Sequence, residues 1–132
     1  LLAPIAVVAS IGIALAGVSA DLTGDFAYES GPEPEDVAIY VTVKAEDDGM
    51  FSLALMAAHP DAHGAAPDGD GEGRVDHEGV LRFQYEDSFS NKGTGSFQRT
   101  KGGYELSIHL TDVHDPRCLA YYGEHTLQRK PR

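Results

Sequence analysis

Twelve consecutive residues, Asp68 to Gly79, are the most informative chemistry-bearing segment of the chain. Asp68, Asp70, Glu72 and Asp76 supply carboxylates, the first three at alternate places, and Gly73 permits a sharp bend among them. All-oxygen donors of this kind suit a hard divalent cation such as calcium. Just upstream, His59, Asp61 and His63 offer imidazole chemistry, which suits zinc or copper. A His-x3-His pair faces one way only on a helix, and Pro60 and Gly64 oppose a regular helix there. His77 or Asp68 would have to complete such a set.

Counted from Asp68, acids occupy the first, third, fifth and ninth places, with Gly73 sixth and Val75 eighth. Over these twelve residues alone the segment resembles the calcium loop of EF-hand proteins. The resemblance implies calcium ligation by Asp68, Asp70, Glu72 and Asp76. It breaks at the twelfth place, where Gly79 replaces the bidentate Glu and Glu78 stands one position early. The flanks differ too: residues 59–67 read as loop and residues 80–86 as strand, so the EF-hand helix pair is missing. Two readings stay open, a calcium loop outside the EF-hand fold and a Gly-rich acidic turn that solvates a hairpin.

Catalytic constellations are weaker. Asp112, His114 and Asp115 offer a general base near Cys118, but no thiol-protease context surrounds that cysteine. Ser88, Ser90 and Ser96 lack a nucleophile-elbow glycine pattern. Asp47 and Asp48 fall in a turn. The expectation is a protein that is not an enzyme. For protein binding the best candidates by composition are Lys92, Arg99 and Lys101, interleaved with Phe89 and Phe97; ordinary strand faces and turn tips are the alternative.

The elements that must position these groups follow a leader. Residues 1–20 carry no charge, and Val18, Ser19 and Ala20 put small residues where a signal peptidase cuts. The expected organisation is a signal peptide over 1–20, its basic n-region missing, and a single β domain over 21–132. That predicts a secreted or periplasmic protein with no membrane segment after cleavage. Cys118 is the only cysteine, so no internal disulfide supports the domain. Between Asp21 and Gly79 fifteen acids face two bases, and after that six acids face eight bases. Such a balance opposes nucleic acid as a partner and leaves two readings, a cation or basic protein as partner and acidity that only keeps a secreted protein soluble.

Period-two alternation recurs along the domain. Val37, Ile39, Val41 and Val43 alternate with polar or small residues, Asp48-Gly49 supplies a turn, and Phe51, Leu53 and Leu55 resume. The end of that run, to Ala58, would also tolerate helix. After a loop from His59 to Gly71, short runs follow at Arg74–His77, at Leu81–Tyr85 and up to Phe97. Two more lie over Tyr104–Leu110 and His125–Lys130, and one opens the domain near Phe26.

The predicted fold is all-β: an antiparallel meander of about eight strands in a small up-and-down barrel or sandwich, with a helical turn near 115–122. In size, export and strand order, though by no motif, this is similar to small periplasmic barrels that inhibit lysozyme or act as immunity proteins. The expected function is an exported, non-catalytic domain that recognises a protein. The alternatives are a calcium or transition-metal domain using the 59–76 loop and a lipocalin-like carrier of a small apolar ligand.

Overall fold

Alternating inward and outward side chains build eight strands in the computed structural model, which describes residues 22–131. The signal peptide expected over 1–20 lies outside the described residues. The strands are β1 (Gly24–Glu29), β2 (Ala38–Ala45), β3 (Phe51–Ala58), β4 (Asp68–Val75), β5 (Leu81–Asp87), β6 (Lys92–Thr100), β7 (Gly103–Asp112) and β8 (Gly123–Arg129). Each pairs antiparallel with its sequence neighbour, and β8 returns to β1, so the sheet is a closed barrel. The β2–β3 turn takes positive φ at Asp48 and Gly49, as the Asp-Gly pair predicts. Leu53 to Ala58 is strand throughout, because Leu53, Leu55 and Ala57 all point into the core.

One continuous cluster fills the barrel, including Phe26, Ile39, Val41, Leu53, Leu55, Phe83, Tyr85, Phe97, Leu106 and Leu127. Each large side chain withdrawn from water in this way contributes about 1.5–3 kcal/mol before entropy is counted. At one end lie the connections between β1 and β2, β3 and β4, β5 and β6, and β7 and β8, all but the β5–β6 one longer than any at the other end. A 3-10 turn, Pro116–Tyr121, covers this loop end and buries Cys118 and Tyr121 beneath it. It starts where Asp115 accepts a hydrogen bond from the Arg117 N–H and Pro116 presets the first φ. Tyr121 locks the cover by donating its hydroxyl to the Ala65 carbonyl at 2.6 Å.

The opposite, tight-turn end is closed by Phe26, Phe97 and Tyr104, whose rings meet at 4.5–5.7 Å. Arg129 lies over two of them, 4.9 Å from the Phe26 centroid and 5.3 Å from that of Tyr104. It also donates to the Thr23 carbonyl and the Tyr104 hydroxyl. Those bonds matter because the β1–β8 ladder is short, registering only Phe26 with Arg129 and Ala27 with Gln128. Arg129→Ala is expected to cost about 2 kcal/mol, from charged hydrogen bonds and cation–π contact together. Hydrogen exchange should then rise first in β1 and β8; uniform exchange across all strands would refute this role for Arg129.

Among the described residues no helix is long and apolar enough to cross a membrane. The meander has an electrostatic consequence. Sequence neighbours are wall neighbours, so the acid-rich half of the chain becomes one half of the cylinder, β1 to β4.

Candidate functional site

The outer face of β1 to β4 is ordered in columns. Ala27, Tyr40, Met56 and Asp68 stand side by side in register, and so do Asp25, Thr42, Ala54 and Asp70. The two central strands present Ala38, Tyr40, Thr42, Ala54, Met56 and Ala58, with Lys44 and Ser52 paired nearer the tight-turn end and the Lys130 ammonium 5.2 Å from the Tyr40 centroid. The flanking strands present Asp25 and Glu29 on one side, and Asp68, Asp70 and Glu72 on the other. Met56 is 61% exposed and Tyr40 39%, two of the four large exposed hydrophobic side chains among the described residues, and they are direct cross-strand partners. Tyr40 donates its hydroxyl to Glu29 at 2.9 Å, and Thr42 donates to Asp25 at 2.7 Å, so the near acidic column is held in place. The Glu29 bond, with some burial, pushes the Tyr40 phenol above its ordinary value and keeps it neutral.

The segment expected to loop around a cation is instead mostly strand. The loop that begins at His59 ends at Pro67, and β4 opens at Asp68. The physical reason is a period-two pattern without hydrophobic residues: acids point out at Asp68, Asp70 and Glu72, while Gly69, Gly71 and Gly73 occupy the inward places. Large rings from β5 fill the space those glycines leave. A Cβ on Gly69 would lie 1.9 Å from the Tyr85 hydroxyl, and one on Gly95 of β6 would lie 2.3 Å from the Phe83 ring.

Consecutive outward carboxylates on a strand are about 6.7 Å apart along a line, and a line of oxygens does not wrap an ion. Asp76 lies beyond the strand and is taken up by its turn, accepting from Glu78 N, Val80 N and Arg82 Nε at 2.8–3.0 Å. The Val80 N–H and the Arg82 guanidinium hold its carboxyl below the usual range. Among the described residues no three His, Cys, Asp or Glu side chains group as metal ligands.

Lys92, Arg99 and Lys101 do not form one patch. Lys92 opens β6 at the loop end, registered between Glu86 and Asp112. Arg99 is near the other end of the strand, with its guanidinium 5.9 Å from the Tyr104 centroid, and Lys101 sits in the following turn. Seven residue steps along β6 separate Lys92 from Arg99 by about 23 Å. Of the weaker catalytic candidates, Asp115 holds Arg117 and caps the 3-10 turn, and Cys118 is buried. Burial first, then Asp87 and Asp115, push the Cys118 thiol up, away from a reactive thiolate.

Sequence reasoning missed a buried polar cluster at the loop end. Asp87 and Asn91 are both buried, in what reads as ordinary β5–β6 turn composition. Asp87 accepts from Phe89 N, Asn91 N, Asn91 Nδ2 and the Tyr122 hydroxyl, at 2.6–3.0 Å. Asn91 Oδ1 in turn accepts from His114 N and Asp115 N, which ties the β7–β8 connection to this hairpin. A carboxylate only accepts, so Tyr122 donates to Asp87 and receives the Tyr85 hydroxyl at 3.0 Å. Burial raises both phenols, which therefore remain donors. This cluster is structural: every polar atom in it faces another part of the fold.

Comparison with known proteins finds no match, whether to a protein family, a curated protein or a solved structure.

Proposed function

We propose that this chain is an exported, non-catalytic recognition domain that binds a basic protein through the wall formed by β1 to β4. The observation that carries this reading is the exposed Tyr40–Met56 pair between two columns of carboxylates. An apolar centre inside a charged rim is the anatomy of a protein interface: central aromatic and Met side chains give affinity, and the rim sets encounter rate and specificity. The strand surface alone spans roughly 20 by 25 Å. A stable interface takes about 800 Å² per partner, so the neighbouring 30–37 loop, with Glu33, Glu35 and Asp36, belongs to the footprint. An inhibitor- or immunity-like role against a basic enzyme fits this surface.

The test is titration of the protein against a panel of basic proteins, lysozyme among them, at low and moderate salt. Binding is expected to weaken steeply with salt. The Tyr40→Ser, Met56→Ser double variant should bind at least about tenfold less tightly, the loss of a central anchor pair, while remaining folded with a cooperative melting transition. If no basic protein binds at low salt, or if the double variant binds as the parent does, the reading fails.

A further inference from the structure

The β3–β4 loop brings together two imidazoles that a helix would otherwise be needed to align. Ala62 N donates to the His59 carbonyl at 2.9 Å, and Asp61 Oδ1 accepts from His63 N at 3.1 Å. Ala62 takes a left-handed φ of 61°, closing a turn in place of a helical one. The His59 and His63 rings stack with centroids 4.3 Å apart and planes 10° from parallel.

Both rings are anchored through the same atom. His59 Nδ1 lies 2.7 Å from the Asp36 carbonyl oxygen. A carbonyl only accepts, so the proton is on Nδ1 and the lone pair on Nε2. His63 Nδ1 is bonded to the Asp61 carboxylate, which dictates the same tautomer. Neither Nε2 is hydrogen-bonded among the described residues. His59, its Nδ1–H held by a backbone carbonyl, has the arrangement found behind metal-ligating histidines, and it presents its Nε2 without moving. The loop is also braced, since His59 packs 5.3 Å from the Tyr121 ring and Tyr121 bonds to Ala65 farther along the same loop.

We propose that His59 and His63 form a surface site for a divalent transition-metal ion, copper(II) by preference, with Nε2 of each ring as ligand and water completing the coordination. Stacked planes cannot both contain one ion, so one ring must turn. That ring is His63, whose side chain is half exposed. Turning costs it one solvent-exposed hydrogen bond and frees the Asp61 carboxylate beside the ion. His59, fixed between Asp36 and Tyr121, stays where it is. Two imidazoles and water suit copper(II) best, nickel(II) and zinc(II) less, and calcium not at all. The proposal does not rest on the β1–β4 recognition surface, which it adjoins at Asp36.

Calorimetric titration of the protein with copper(II), nickel(II), zinc(II) and calcium, together with electron paramagnetic resonance of the copper complex, tests it. One equivalent of copper should bind most tightly and show imidazole nitrogen coupling. His59→Gln and His63→Gln should each weaken copper at least about tenfold, the change expected when a ligand or its support is lost. His114→Gln, an exposed histidine outside the site, should leave binding unchanged. His63 makes no buried contact that folding depends on, so its variant isolates ligation from stability. Parent-like affinity in His63→Gln, or a copper spectrum without imidazole coupling, overturns the proposal.

Discussion

Asp87→Ala should be the most damaging single substitution in the polar interior, lowering stability by about 4 kcal/mol. Removing the carboxylate leaves Phe89 N, Asn91 N, Asn91 Nδ2 and the Tyr122 hydroxyl without their common acceptor. Asp87 is only 6% exposed and Asn91 is fully buried, so water does not simply take its place. Each buried donor left unpaired costs about 1–3 kcal/mol. A domain of this size holds roughly 5–15 kcal/mol in total, and the expected fall in melting temperature is roughly 15–30 °C.

Asp87→Asn keeps the shape and one acceptor oxygen but turns an amide NH2 toward donors, so about half the loss should remain. Tyr122→Phe, which removes one of the four donors, should cost less than either. Urea and thermal unfolding of the three variants give the ranking. A drop of less than about 5 °C for Asp87→Ala would show that the cluster does not hold the loop end together.

The second large effect is expected at a residue with no side chain. In Gly73→Ala the new Cβ would lie 1.7 Å from the Arg82 carbonyl oxygen and 2.9 Å from the Phe83 Cα. Both atoms are backbone of β5, which cannot step aside as a flexible side chain can. The strands must separate locally, weakening the β4–β5 ladder and unseating Phe83. Overpacking of a core commonly costs 1–3 kcal/mol, and backbone collisions fall at or above the upper end, so about 3 kcal/mol is expected. Gly102→Ala is the control: a Cβ there meets nothing within 4 Å, and its effect should stay within about 0.5 kcal/mol. Equal melting temperatures for Gly73→Ala and Gly102→Ala would remove the account of why β4 is built on glycine.

These two positions also show where sequence reasoning stops. Val37 to Val43 and Tyr104 to Leu110 reveal themselves as strands because hydrophobic residues recur at every second place, a property of one segment alone. Asp68 to Gly73 has the same period, but with glycine at the inward places it reads as an acidic loop or turn. The missing information is across the ladder, in the Phe83 and Tyr85 rings that occupy those positions. Asp87 and Asn91 likewise look like turn residues until Tyr122, thirty-five positions from Asp87, is brought against them. His59 and His63 are visible as a pair, but the turn that stacks them is set by Ala62 and by the Asp36 carbonyl of another loop.

The sequence by itself determined an all-β meander with short connections and a helical turn after Asp115, together with an acid-rich first half. It did so because alternation, turn residues and charge are local quantities that need no partner to be read. Only the tertiary structure decided that the sheet closes, that acids frame Tyr40 and Met56, and that Lys92 lies a strand's length from Arg99. Those facts depend on register between strands. A shift of one residue would turn every outward side chain inward, and register is selected by the packing of the whole barrel.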